Sequence, residues 1–149
     1  MSSSSKANAQ IRILLADDDE DDRMMAREAL EVSLLTNPLD EVVDGIELLE
    51  HLDRLLESGD PLPGLILLDL NMPRMDGREA LAKIKSNPEL RHIPIVVLTT
   101  SKAEEDVYRT YDLGVNSFIS KPISFEGLVG VMAEIGRYWL EMVELPKAA

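Results

Sequence analysis

The sequence predicts an α/β fold in which a parallel sheet of five strands is doubly wound by helices on both faces. Three apolar runs, IRILLA (11–16), LILLDL (65–70) and IVVLTT (95–100), are nearly unbroken, which is typical of strands buried on both faces. Amphipathic helical patterns alternate with the strands, so that the order strand–helix recurs five times. The crossover connections are expected to be right-handed.

The first half of the chain contains two of these strand–helix units. After the first strand, Met25, Ala29 and Val32 recur at helical spacing and predict a helix to about Leu35. The segment LDEVVDG (39–45) is a weak second strand that ends in Asp-Gly. The turn-forming SGDPLPG ends the second helix, whose leucines lie at 48, 49, 52, 55 and 56.

The second half contains three further units. Asp76 and Glu79 have the N-cap and N3 spacing of a helix start, as do Ser101 and Glu104. Ser124 is the expected cap of the last helix. The predicted strands are 65–70, 95–100 and 117–120, and the predicted helices are 77–86, 102–113 and a long last helix whose apolar face extends to Met142.

The composition narrows the class of protein. A chain of 149 residues with 45% hydrophobic residues predicts one domain, expected over 10–145, with a disordered N-terminal tail at 1–9 and a C-terminal tail at 146–149. The net charge of −13 disfavours nucleic acid and anionic membranes as partners and suits cations or a basic partner surface better. The absence of cysteine excludes disulfides and thiol catalysis. Without a signal peptide or a membrane span, we expect a cytoplasmic protein.

Polar side chains stand at the carboxyl ends of four predicted strands, where the site of a doubly wound sheet lies. Carboxylates in close contact repel one another, and Mg²⁺ relieves this repulsion while it shares its other positions with waters and phosphoryl oxygens. Lys and Thr are suitable partners for such oxygens, so the pattern predicts a carboxylate that accepts a phosphoryl group. The strand-end residues are Asp17, Asp18, Asp69, Asn71, Thr99, Thr100, Lys121 and Pro122.

Each of these residues taken alone also has an ordinary structural interpretation. An aspartate at a strand end is commonly a cap, and Asp76 is better explained as a helix cap than as a ligand. Thr99 and Thr100 fit as β-branched strand residues, and Lys121 fits as a surface lysine. Their joint occurrence at four strand ends is what favours a site. The acids from Asp19 onward are expected to open the first helix, where they favour its dipole.

Four motifs carry a resemblance to a known family. ILLADDDEDD, LILLDLNMPRMDG, IVVLTTS and SFISKP follow one another in the order and spacing of response-regulator receiver domains from two-component signalling, and the chain resembles that family from residue 11 to about 143. The resemblance implies the flavodoxin-like strand order 2-1-3-4-5 with five helices. In that order the second strand is an edge, so Glu41, which replaces a common apolar residue, is interpreted as edge protection.

The resemblance implies a metal and phosphoacceptor site. Asp69 would be the phosphorylated residue. Asp18 would bind Mg²⁺ directly, and Asp17 would bind it through water or orient the site. Asp69 and the backbone carbonyl of Asn71 would complete the protein ligands.

The resemblance also implies a switch. Thr99 would bond one oxygen of the acyl phosphate and Lys121 another, which makes them the catalytic partners of the phosphoacceptor. The Lys121–Pro122 bond is cis in the family, in keeping with the low cost of cis proline. Phe118 falls at the switch position, where the ring turns inward when Thr99 moves. An ordinary core aromatic is an equally good structural explanation of Phe118.

A narrower resemblance concerns the stand-alone regulators paired with phytochrome-type histidine kinases. It is carried by LLDLNMPRMDGREAL, VVLTTS, YDLGVNSFISKP and YWLEMVELP. It implies a homodimer through the helix after strand four, the fifth strand, the last helix and the C-terminal extension, with Trp139, Leu140 and Val143 in the interface. The alternative is a last helix that simply frays late.

The functional prediction is therefore a single-domain response regulator. A histidine kinase, of the phytochrome type on the narrower resemblance, would phosphorylate Asp69 with Mg²⁺, and output would pass to a protein partner or a phosphotransfer protein, because no DNA-binding domain is expected. The chain would take part in its own phosphorylation and dephosphorylation without being a turnover enzyme. One alternative is a phosphatase of the haloacid-dehalogenase type, but such enzymes require a second acid two residues after the nucleophile, where this chain has Asn71. Another is a receiver fold that signals without phosphorylation.

Overall fold

The computed structural model describes residues 12–33, 38–70, 72–75, 77–99, 117–120, 124–135 and 137, with the backbone alone for 98, 99 and 117–120. Its strands are β1 (Ile13–Ala16), β2 (Leu39–Val42), β3 (Leu65–Leu68), β4 (Ile95–Thr99) and β5 (Ser117–Ser120). Its helices are α1 (Glu20–Val32), α2 (Gly45–Ser58), α3 (Gly77–Ser86) and α4 (Phe125–Ile135). The predicted helix at 102–113 and both predicted tails lie outside the described residues.

The strands form one parallel sheet in the order β2-β1-β3-β4-β5. The flavodoxin-like fold with a parallel order 2-1-3-4 is confirmed, and β5 pairs with β4 at the far edge. The register is level in the middle of the sheet, because Ala16 pairs with both Val42 and Leu68. The chain therefore leaves three neighbouring strands at the same edge.

Helices cover both faces of this sheet, and each face has its own core. Alternate residues of β1 point to opposite sides, as the pleat of a strand requires. The first core joins β1 and β3 to α2 and α3, and it includes Leu14, Ala16, Leu48, Leu52, Ile66, Leu68, Ala80, Leu81 and Ile84. The second core joins the same strands to α1 and α4, and it includes Ile13, Leu15, Ala26, Ala29, Leu30, Leu65, Leu67, Leu128, Met132 and Ile135.

Helix α1 is shorter than predicted. It begins where expected, because the Asp19 carboxylate accepts the amides of Asp21 and Asp22 at 2.8 and 3.2 Å. The prediction that it runs to about Leu35 is wrong, since the helix ends at Val32. Ser33 is its C-cap, and the Ser33 hydroxyl donates to the Val129 carbonyl at 3.2 Å, which ties the end of α1 to α4.

Two predicted strands also end early, for local reasons. β2 stops at Val42 instead of reaching the predicted residue 45, because Asp44 turns away to cap α2. β3 stops at Leu68 instead of residue 70, because the Leu70 carbonyl leaves the ladder and accepts the Gly77 amide at 2.9 Å. Both departures lie at the edge that carries the candidate site.

The other helix limits follow the predicted signals. Gly59 ends α2 in the left-handed conformation at φ 75°, which glycine adopts without steric cost. The Ser124 hydroxyl accepts the Gly127 amide at 3.0 Å and caps α4, as predicted. Residues 138–142, over which α4 was predicted to continue, lie outside the described residues. None of the helices in the described ranges is long and apolar enough to cross a membrane.

Candidate functional site

The carboxyl ends of β1 and β3 place two aspartates side by side. The Asp17 amide donates to the Val42 carbonyl at 3.1 Å, and the Asp69 amide donates to the Ala16 carbonyl at 2.9 Å. These bonds continue the sheet ladder one residue beyond the strands. The backbone of both aspartates is therefore held by the sheet rather than by a free loop.

Three carboxylates form a cluster at this edge, which we call the acidic triad: Asp17, Asp18 and Asp69. Each offers an oxygen, and these oxygens lie within 4.8 Å of one another. Asp17 is 3% exposed and Asp69 is 9% exposed, whereas Asp18 is open to solvent. The sequence predicted this convergence, and the structure brings these three predicted residues together.

The acidic triad fits a hard divalent cation. Two of its carboxylates are largely removed from water, which makes their mutual repulsion costly. A cation that prefers oxygen ligands and keeps several waters would offset this repulsion, and the exposed Asp18 leaves one side open for those waters. The Asp17 carboxylate also accepts the Asp19 amide at 3.0 Å, which fixes its orientation.

Arg23, which the sequence pattern did not predict as a site residue, contacts the backbone of the acidic triad. Arg23 of α1 donates to the Asp17 carbonyl at 2.9 Å and pairs with Glu41 of β2 at 3.2 Å. Glu41 also pairs with Arg27 at 2.6 Å, and this contact raises the pKa of the Arg27 guanidinium. The unusual acid in the weak second strand was the available signal, because a half-buried glutamate needs cationic partners.

The loop between Asp69 and α3 is held against the start of α2. Arg74 in this loop has φ 63°, a left-handed conformation that costs a residue with a side chain about 1–2 kcal/mol. Its Nε donates to Asp44 at 2.7 Å, and the Gly45 amide donates to the Met75 carbonyl at 2.9 Å. A side chain at Gly45 would collide with the Met75 carbonyl, so the close approach requires glycine.

Asp44 is the buried partner in this contact. Its side chain is 5% exposed, and it caps α2 by accepting the Glu47 amide at 2.8 Å. The hydrogen bond from Arg74 lowers the pKa of Asp44 below its ordinary value of 3.8, against the opposing effect of burial. The carboxylate is therefore held in its charged form. Nothing in the sequence pattern predicted this pair, whose members are 30 residues apart.

Several predicted site residues cannot be placed in this geometry. The backbone of Thr99 pairs with Ser120 at the carboxyl ends of β4 and β5, which is the expected edge. Phe118 is described by its backbone in β5, where it pairs with Val97. The other predicted site residues lie outside the described residues: Asn71, Asp76, Thr100, Lys121, Pro122, Trp139, Leu140 and Val143.

The fold and the acidic triad define a receiver domain. Residues 13–133 match the family model described as the response regulator receiver domain, and the chain belongs to that family. Its predicted membership in two-component signalling is thereby confirmed.

The chain is similar over nearly its whole length to two cyanobacterial response regulators. The chain is 42% identical over 146 residues to the response regulator Rcp1 of Synechocystis sp., covering 97% of this chain and 99% of that protein. The phosphorylated cyanobacterial phytochrome response regulator RcpA has a crystal structure with TM-score 0.85 and 40% identity, covering 93% of this chain and 100% of that chain. The crystal structure of the Mn²⁺-bound form of Rcp1 has TM-score 0.81 and 40% identity, covering 92% of this chain and 99% of that chain.

Proposed function

We propose that this protein is a response regulator switched by Mg²⁺-dependent phosphorylation of Asp69, with a histidine kinase as the donor. The acidic triad is the observation that carries the proposal, because it surrounds one largely buried carboxylate with two others at the edge of the sheet where a receiver domain reacts. The relative Rcp1 has been crystallised with Mn²⁺, a divalent ion that accepts the same oxygen ligands.

The residues of this chain would divide the work of phosphoryl transfer. An oxygen of Asp69 would form the new bond to phosphorus while the bond from phosphorus to the kinase histidine breaks. Asp17 and Asp18 would hold Mg²⁺ together with Asp69 and the carbonyl of Asn71. The bound ion would neutralise charge on the phosphoryl oxygens.

Thr99 and Lys121 would then bind the transferred group. Their donors would engage the new phosphoryl oxygens, and Phe118 would follow the movement of Thr99. Such a switch requires contacts that differ between the two states, and the phosphoryl group supplies them. The backbone position of Thr99 at the end of β4 supports this role.

The proposed kinase partner is of the phytochrome type, in the cytoplasm. This part rests on the similarity to RcpA and Rcp1, the first of which is a phytochrome response regulator. We propose that output passes through protein contacts or onward phosphotransfer, with a homodimer that uses Trp139, Leu140 and Val143. Chromatography with light scattering, before and after phosphorylation, tests the dimer.

Labelling with acetyl phosphate tests the phosphoacceptor. We expect the wild type to gain one phosphoryl group in the presence of Mg²⁺, and Asp69→Asn to gain none, as read by intact mass spectrometry. Asp19→Asn is the matched control, because it removes an acid next to the triad while asparagine keeps the helix cap. It should label like the wild type.

Three results would contradict the proposal. Labelling of Asp69→Asn would place the phosphoryl group on another residue. A wild type that stays unlabelled with Mg²⁺ would favour signalling without phosphorylation. Repeated turnover of p-nitrophenyl phosphate would favour the phosphatase alternative.

A further inference from the structure

We infer that Arg74 is a positioning residue for the metal site, and that its ion pair with Asp44 holds the loop after the phosphoacceptor in the conformation that binds the cation. The inference deepens the proposed function and rests on its metal site. The loop lies between Asp69 and Gly77, the first residue of α3, and Arg74 precedes Gly77 by three residues.

The loop is anchored at its far end by three contacts. The Gly77 amide bonds the Leu70 carbonyl at 2.9 Å, and the Gly45 amide bonds the Met75 carbonyl at 2.9 Å. Arg74 adds the third, a side-chain contact to Asp44 at 2.7 Å. The first bond closes the loop, and the other two tie it to the start of α2.

Arg74 adopts its conformation at a cost that the ion pair offsets. A left-handed backbone is unfavourable for arginine, and such strained positions persist where surrounding contacts hold them. The Arg74 side chain is 56% exposed, whereas the Asp44 side chain is 5% exposed. Loss of Arg74 would leave a buried carboxylate without this cation, and the loop and the helix start would relax to solvate it.

This relaxation would reach the cation. Asn71, whose carbonyl is the predicted ligand, lies between Asp69 and Arg74 in the same loop, three residues before the arginine. Residues that orient metal ligands through a supporting contact typically change metal affinity by 10- to 100-fold when they are replaced. We expect the lower end of that range, because the loop keeps its two backbone anchors.

Arg74→Gln and Asp44→Asn test the inference through Mg²⁺ affinity, measured by calorimetric titration at constant ionic strength. We expect the dissociation constant to rise about tenfold in both variants. Asparagine remains a good helix cap, so Asp44→Asn changes the charge and spares the bond to Glu47. In the metal-free variants, hydrogen exchange of Arg74, Met75 and Gly77 should be faster than in the wild type.

The sign of the effect separates positioning from simple electrostatics. Removing a positive charge near an acidic site strengthens cation binding, whereas removing a negative charge weakens it. Positioning predicts weaker binding in both variants. Tighter binding by Arg74→Gln with weaker binding by Asp44→Asn would reduce the pair to a charge effect, and wild-type affinity in both would also overturn the inference.

Two further variants exclude a general loss of stability. Arg12→Gln breaks the Arg12–Asp40 pair, which has a similarly exposed arginine at 3.2 Å but lies at the start of β1, and it should keep wild-type affinity. Arg74→Gly removes the ion pair and the left-handed strain together. Its Tm should be close to that of the wild type, and its Mg²⁺ affinity should be as low as that of Arg74→Gln. Wild-type affinity in Arg74→Gly would overturn the inference.

The same samples distinguish this inference from the proposed function. A wild type that binds Mg²⁺ and is not labelled by acetyl phosphate would refute the phosphorylation proposal and leave the positioning role standing. A labelled wild type together with unchanged Mg²⁺ affinity in Arg74→Gln would refute the positioning role alone. A wild type that does not bind Mg²⁺ would refute both.

Discussion

Replacing Gly77 by alanine should destabilise the protein, although the same exchange in a helix is normally stabilising. Gly77 is the first residue of α3 and lies against the end of β3. A methyl group there would lie 2.4 Å from the Asp69 carbonyl oxygen and 2.7 Å from the Leu70 Cα. Both neighbours are backbone atoms that the sheet and the loop hold, so neither can rotate away.

The expected size follows from the distance that must be gained. Ordinary contact begins at 3.4 Å, so the methyl group and the Asp69 oxygen must separate by 3.4 − 2.4 = 1.0 Å. Overpacking of this kind costs about 1–3 kcal/mol, and loss of a helical glycine returns roughly 0.5–1 kcal/mol. The midpoints of these two ranges leave a net loss of about 1.25 kcal/mol, or roughly 2–5 °C in Tm for a chain of this length.

Gly130→Ala is the matched control. Gly130 lies on the exposed side of α4, and a methyl group there would meet nothing within 4 Å. This variant should gain about 0.5–1 kcal/mol, so its Tm should rise by roughly 1–4 °C. Thermal unfolding followed by circular dichroism in a chelator measures both. A Gly77→Ala protein that melts at or above the wild type would refute the reasoning.

Two further predictions concern charge. Mg²⁺ should raise Tm, because it binds the folded state and stabilises it by about 2.7 kcal/mol when the Mg²⁺ concentration is 100 times the dissociation constant. Asp18→Asn should stabilise the metal-free protein and reduce the rise in Tm that Mg²⁺ causes. Melting curves that do not change with Mg²⁺ would count against the metal site. Because Arg74 lowers the pKa of Asp44 below 3.8, their contact stabilises the fold above that pH and is lost as the pH falls through the lowered pKa. Wild type and Asp44→Asn should therefore differ in urea unfolding above pH 3.8 and converge as the pH falls below 3.8, and a difference that stays constant below that pH would contradict the assignment.

The sequence was sufficient for the features that depend on periodicity. The apolar runs predicted β1, β3 and β4, and the parallel arrangement then predicted that residues following these strands would meet. Asp17, Asp18 and Asp69 were found in this way, because a rule about strand ends needs no knowledge of side-chain conformation. Helix starts at Asp19 and Ser124 were predicted equally well, since a cap is local chemistry.

The supporting contacts could not be predicted, because they depend on loop conformation and long side chains. Arginine rarely adopts a positive φ, so the sequence carries no signal for the conformation of Arg74, and its contact to Asp44 depends on that conformation. Arg23 reaches the Asp17 carbonyl from one turn along α1, a contact that many rotamers would miss. Glu41 was noticed as unusual, but its two arginine partners became evident from the fold alone.

The strand-end aspartates also bear on how the chain finds its register. Both faces of β1 and β3 are apolar. If either strand shifted by one residue against its neighbours, the side chains of the two cores would change places, and little buried apolar surface would be lost. The same slip would carry Asp17 or Asp69 into the sheet, where a carboxylate without solvent is strongly unfavourable. The aspartates of the acidic triad therefore also mark where each strand must stop, and replacing them with apolar residues would remove a folding signal together with the candidate metal site.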